Sequence, residues 1–187
     1  MNIQKTHPTF GKIPVMLCEM KKIHSKEKVN ATLYLMDIKN KNDLKEIEYG
    51  KTSGCLRRDL KTDFYSIHPY RNYYLLKEDS TGEIIACAET SMHYRRTDDK
   101  KAGISVMVDE FGENYNYLNP AEPMFAFLAD RAIKQYSQNI IIGTSDCDEA
   151  TLKKTMFTKT KNGEWYMPER RFSQLLDKAE KRYNMVI

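Results

Sequence analysis

The stretch "YYLLKEDSTGEIIACAETS", residues 73–91, places two apolar runs either side of a polar turn. Both runs are apolar at consecutive positions rather than at alternate ones. A strand with one face in water alternates apolar with polar residues, whereas a strand covered on both faces does not. Tyr73–Lys77 and Ile84–Thr90 therefore read as the arms of a hairpin buried on both sides. The turn is Asp79-Ser80-Thr81-Gly82, where glycine adopts positive φ without steric cost. The run "IIACA" mixes small and branched residues, which suits a strand sandwiched between helices. Leu75, Ile85 and, one strand later, Val106 are expected to be almost inaccessible. Glu89 follows "IIACA" directly, an acid near the end of a buried arm.

The rest of the chain extends this pattern. "GISVMVDE", Gly103–Glu110, reads as a third central strand, and "FGENYNYL" as the loop after it. Upstream, "ATLYLMDI" reads as a strand and "KIPVMLCEM" as a short one. Asn42 or Asp43 offers a cap for a helix through "LKEIEYG" that stops at Gly50. Leu56, Leu60 and Phe64, at steps of four, mark the face of a second helix. Downstream, "NPAEPMFAFLADRAIKQYSQN" starts with Asn119 as cap, Pro120 in the first helical position and Glu122 three past the cap. Its apolar face reads Met124, Leu128, Ile133 and Tyr136. "NIIIGT" is a buried strand, and "DCDEATLKKTMF" a short helix capped by Asp146 or Asp148. Asn162-Gly163 signals a two-residue hairpin. "PERRFSQLLDKAEKRY" is amphipathic, with Phe172, Leu175, Leu176, Ala179 and Tyr183 in one stripe that must dock on this chain or on a second copy, as in a homodimer.

Composition narrows the class. The 187 residues suit one domain, with 41% hydrophobic and 30% charged residues, an ordinary soluble balance. Residues 1–28 read as an N-terminal extension, 29–168 as the core and 169–187 as a C-terminal helix. Thirty Lys and Arg against 26 Asp and Glu give a net charge of +4, which permits an anionic ligand without demanding one. No apolar run is long enough to cross a membrane. No signal peptide is read at the start, and Cys18, Cys55, Cys87 and Cys147 are scattered, so reduced thiols and a cytoplasmic location are expected. His7, His24, His68 and His93 show no ligand spacing, so no metal is expected. Basic doublets such as Arg57-Arg58 and Arg170-Arg171 are spread out and interrupted by acids. They read as solvated surface, with a nucleic-acid-binding module as the alternative from another class.

The order of elements resembles the GNAT-type N-acyltransferase superfamily. The resemblance covers roughly residues 31–167: three sequential central strands, a well-capped helix, a buried strand, a short helix and a closing hairpin. It implies an α/β (α+β) fold with a central, mostly antiparallel mixed sheet flanked by helices, here with an extra C-terminal helix. It also implies an acyl-CoA or acetyl-CoA co-substrate and transfer of the acyl group to an amine of a small molecule or protein. In that family the third strand of the meander splays from the next one, and the coenzyme lies in the opening. Val106, Met107 and Val108 would then bind the pantetheine arm, and the helix start at Asn119 and Ala121 would face the pyrophosphate. The family usually supplies a Gly-rich, basic loop there. "YNYLNPAEP" has no glycine, lysine or arginine, its two prolines delete donors, and Glu122 adds a negative charge. A GNAT-like binding protein without catalytic activity is therefore the alternative within the same fold.

The resemblance further implies a carboxylate base for the attacking amine. Glu89 and Glu110 are the candidates, with Asp109 beside them. The same acids also read as the solvated ends of strands. His93, Arg95 and Arg96, in "ETSMHYRR", are candidates for substrate contact beside the cleft. The tyrosine that many relatives place after the fifth strand as general acid has no counterpart in "EATLKKTMF". Tyr115 and Tyr117 are the nearest replacements. Cys147 lies in acidic "SDCDE", a setting that suppresses the thiolate.

Overall fold

The computed structural model describes residues 11–37, 39–52, 71–96, 102–142 and 148–187, apart from the side chains of 50–52, 94–96 and 102. The strands are β1 (Ile13–Lys21), β2 (Lys28–Met36), β3 (Arg71–Glu78), β4 (Ile84–Arg96), β5 (Ala102–Glu113), β6 (Asn139–Ile142), β7 (Thr158–Lys159) and β8 (Trp165–Pro168). The helices are α1 (Lys41–Thr52), α2 (Ala121–Lys134), α3 (Glu149–Lys154) and α4 (Phe172–Tyr183). Among the described residues the strands form one sheet in the order β1-β2-β3-β4-β5-β6-β8-β7. Every neighbouring pair is antiparallel except β5 with β6, which is parallel. This is the mostly antiparallel mixed sheet with flanking helices that the order of elements implies.

The hairpin is central. β3 and β4 pair with Leu75 opposite Cys87, and Leu75, Ile85 and Val106 are 1%, 0% and 4% exposed. Successive side chains go to opposite faces, and both faces are covered. Leu76, Ile85, Ala86, Ala88 and Val106 join the core that contains α2 and α4. Leu75, Ile84, Cys87 and Met36 form a smaller cluster with Ile47 of α1. At the turn, Gly82 has φ +73° and its N–H donates to the Glu78 carbonyl at 2.8 Å. The strands outrun their apolar cores. β4 and β5 pair from Ala86–Glu113 to Arg96–Ala102, so Glu89, Asp109 and Glu110 lie in mid-strand and not at strand ends. Arg95 and Arg96 are in β4 and not in a loop. Backbone pairing carries polar residues into a strand once the neighbouring ladder is in place.

Helix starts moved by a residue or two from the expected caps. Asn40, not Asn42 or Asp43, caps α1, its Oδ1 accepting from the Asn42 N–H at 2.9 Å, and the helix passes Gly50 to reach Thr52. The expected helix face at Leu56, Leu60 and Phe64 lies outside the described residues. α2 starts at Ala121, and the Asn119 side chain makes no cap, because Asn119 has φ +50°. Residues 121–130 are buried all round, since α2 lies between the sheet and α4. Ile133 and Tyr136, expected on its apolar face, are 40% and 90% exposed, Tyr136 being past the helix end. Asp148 caps α3, its Oδ1 accepting from the Thr151 N–H at 2.8 Å. The β7–β8 turn spans three residues, 161–163, rather than two, with Gly163 at φ +87° and the Thr160 N–H donating to the Glu164 carbonyl at 2.7 Å. α4 docks on α2 of the same chain, with Phe172 and Leu175 fully buried and Leu176 partly so.

The sheet begins at Ile13, because β1 pairs with β2 along its whole length. Its outer edge is partly closed. Leu17 and Val186 exchange two backbone hydrogen bonds of 2.9 Å, and the Leu118 N–H donates to the Lys21 carbonyl at 2.8 Å. Such cover blunts an edge that would otherwise template another strand.

Below this edge lies a buried acid, Glu78. Burial alone would raise its pKa. Hydrogen bonds from the Ser80 hydroxyl (2.7 Å) and the Tyr117 hydroxyl (2.6 Å), with the Lys22 ammonium at 2.9 Å, outweigh that and bring it down to about 2. The folded pKa lies below the ordinary 4.5, so this contribution to stability is complete above about 4.5 and is lost as pH falls through 2. Acid unfolding followed by circular dichroism should steepen across that window, and Glu78→Gln should flatten it. An unchanged acid profile in the variant would count against this assignment.

Candidate functional site

β5 and β6 pair over four positions, from Ser105–Asn139 to Val108–Ile142. Past Val108, β5 runs on to Glu113, and β6 is described as far as Ile142. Among the described residues no strand pairs with 109–113 on that side. A bulge follows the last of these rungs: Thr90 pairs with Val108 and Glu89 with Glu110, so Asp109 is the extra residue. The opening expected along Val106, Met107 and Val108 does not lie there. Those three residues lie opposite Ile140, Ile141 and Ile142 in the parallel ladder, which needs these rungs to hold β6 in the sheet.

Glu89 and Glu110 face each other across β4 and β5, 2% and 6% exposed. Both line a space of about 10 Å³ with Tyr73, Leu75, Cys87 and Ile47 of α1, room for a single water. Glu89 Oε1 accepts from Arg71 Nη1 at 2.6 Å and from the Tyr73 hydroxyl at 3.3 Å. Burial, and then the Glu89 charge, push the Tyr73 phenol upward, so it stays protonated at neutral pH. Arg71 was not a candidate from sequence, because nothing in "HPYRNYY" marks it. His93 is exposed, and its Nε2 lies 2.9 Å from the Ser91 hydroxyl. Four residues along β4 put it roughly 13 Å from Glu89, apart from the acid pair. The side chains of Arg95 and Arg96 are outside the described residues.

The start of α2 is already satisfied. The Ala121 N–H hydrogen-bonds the Glu113 carboxylate at the end of β5, a group whose pKa burial, and next Asp148, raise. The Asn119 carbonyl accepts from the Glu122 N–H at 3.2 Å. Glu122 does not project its charge to the helix start as expected. Its carboxylate turns onto α4, where Lys178 and Arg182 approach to 2.7 Å each and the Tyr183 hydroxyl donates at 2.9 Å. Burial would raise the Glu122 pKa, but these partners hold it below the ordinary value.

Where α2, α3 and α4 meet, a cavity of about 280 Å³ opens beside this ion pair. Lys154 and Thr151 reach it from α3, and Thr155 just follows that helix. Lys178 and Arg182 line it from α4, far along the sequence from "YNYLNPAEP". Their i, i+4 spacing on one side of the α4 stripe was the available signal.

The remaining candidates separate cleanly. Tyr117 is 2% exposed, its hydroxyl within 2.6 Å of Glu78 and 2.9 Å of Glu83, and burial followed by these acids pushes its pKa up, which fits a structural role and not a general acid. Tyr115 is exposed. Cys18 and Cys87 are buried, and burial, with Asp79 adding to it, pushes the Cys18 thiol up to about 12. Cys147 lies outside the described residues. Among the described residues no group of His, Cys, Asp and Glu could hold a metal, and no helix is long and apolar enough to cross a membrane.

An antiparallel meander whose fifth strand carries a bulge and pairs parallel with the next strand, with α2 as the crossover between them, defines a GNAT-type fold. The chain is similar to a chain in the crystal structure of the NatC complex bound to Gag peptide and CoA, with a TM-score of 0.52 and 15% identity, over 74% of this chain and 98% of that one. No family model matches the sequence, and no curated protein does.

Proposed function

We propose that the chain is an acyl-CoA-dependent N-acyltransferase acting on an amine of a small molecule or a protein. The observation that carries this reading is the facing pair of buried acids, Glu89 and Glu110, beside the parallel rungs of β5 and β6 in a GNAT-type sheet. The acceptor amine gives a proton to Glu110, directly or through the one water the space admits. Its nitrogen attacks the thioester carbonyl carbon, the C–S bond breaks, and the thiolate leaves to take up a proton. Glu89, held by the Arg71 guanidinium, shapes the acceptor side and favours a cationic amine there.

A second reading, a GNAT-like binding protein without transfer activity, is favoured by the Glu113 carboxylate at the Ala121 N–H. Thermal shift with CoA and acetyl-CoA separates the two. At a hundredfold excess over Kd, binding adds about 2.7 kcal/mol, or about 5–10 °C in Tm for a domain of this size. Release of free thiol in the presence of amines, peptides included, then reports transfer. A flat melting curve with every thioester leaves the second reading standing.

A further inference from the structure

We infer that α4 builds a phosphate site into this fold, and that the cavity between α2, α3 and α4 takes the terminal phosphomonoester of the acyl donor. The inference rests on the acyl-CoA reading above. Three cations, Lys154, Lys178 and Arg182, line a cavity whose only lining carboxylate among the described residues is Glu122, an excess of two positive charges there. Glu122 is 3% exposed and fixes Lys178 and Arg182 through contacts of 2.7 Å, so both cations are held in place before any ligand arrives. Arg182 keeps further guanidinium donors for an anion, and Lys178 keeps further ammonium donors. The side chains of Thr151 and Thr155 add to the polar wall. At about 280 Å³ the cavity has room for a phosphate with the sugar that bears it.

The position fits the rest of the site. The Ala121 N–H at the start of α2 is taken by Glu113, and Pro120 and Pro123 have none to give, so the helix end offers a phosphate little. The cavity begins one turn away, at Asn119 and Glu122, and replaces those backbone donors with side-chain cations from two other helices. A segment outside the core covered by the family resemblance therefore supplies what the loop before α2 lacks.

The test is calorimetric titration of wild type, Lys154→Glu and Lys153→Glu with CoA, dephospho-CoA and inorganic phosphate. Lys154 and Lys153 are both exposed on α3, and only Lys154 lines the cavity. The expected result is a loss of CoA affinity of about tenfold or more in Lys154→Glu, no change in Lys153→Glu, and dephospho-CoA binding that is weaker in wild type and indifferent to either substitution. Equal affinity of wild type for CoA and dephospho-CoA, or an unaltered Lys154→Glu, overturns the phosphate site while leaving the acyl-CoA reading intact. Binding of inorganic phosphate that Lys154→Glu abolishes, with no binding of any coenzyme, keeps a phosphate site but removes the coenzyme as its source and the acyl-CoA reading with it.

Discussion

Replacing Glu110 by glutamine is expected to lower turnover by about a hundredfold or more while CoA still binds. Glutamine keeps the shape of the side chain and loses the capacity to accept the amine proton. Glu89 is engaged by Arg71 at 2.6 Å and by Tyr73 at 3.3 Å, which ties its charge to β3. A proton placed on Glu89 would have to break that ion pair, and the Arg71 side chain is about a third exposed. Glu89→Gln should therefore lower stability more than it lowers kcat. Steady-state kinetics on both variants, with melting curves beside them, decide the matter. Full turnover in Glu110→Gln would remove the carboxylate from the chemistry.

Phe172→Ala is expected to cost about 3–5 kcal/mol, the usual penalty for emptying a buried aromatic site. The ring is fully inaccessible, within the core that α4 shares with α2. For a domain of this length the loss corresponds to a fall in Tm of roughly 6–20 °C. Lys181→Ala, on the exposed side of the same helix, should leave the melting curve where it is. A small effect of Phe172→Ala would mean that α4 is an appendage and not part of the core.

The hairpin at residues 73–91 was legible because burial on both faces removes alternation from the sequence itself, and "IIACA" has none. The order of strands and helices followed from it. Caps were less legible. Asn40 and Asn119 both precede helices, but only Asn40 caps with its side chain, since Asn119 turns to φ +50° to bring the chain round into Pro120. Strand ends were hidden for a different reason. β4 and β5 extend through polar residues because each supplies the other's backbone partners, a cooperation that neither segment shows alone. Glu89 and Glu110 could be named from sequence, but their pairing depends on the extra residue at Asp109, and a register shift leaves no mark in composition. Lys154 was invisible as a partner of Lys178 and Arg182 because α3 and α4, distant in sequence, bring them together.

The clip between Leu17 and Val186 also bears on the order in which the molecule assembles. β1 to β5 are joined mainly by neighbours in sequence, so their pairing closes comparatively short loops. Positions 17 and 186 are 169 residues apart, and their contact waits until α4 has found α2. A contact of that span costs the most chain entropy and forms late, after the folding barrier. Interactions made after the barrier leave the folding rate almost untouched and act on the unfolding rate. The two backbone hydrogen bonds at the outer edge of the sheet thus govern how long the native state lasts, while the pace of reaching it is set in the meander.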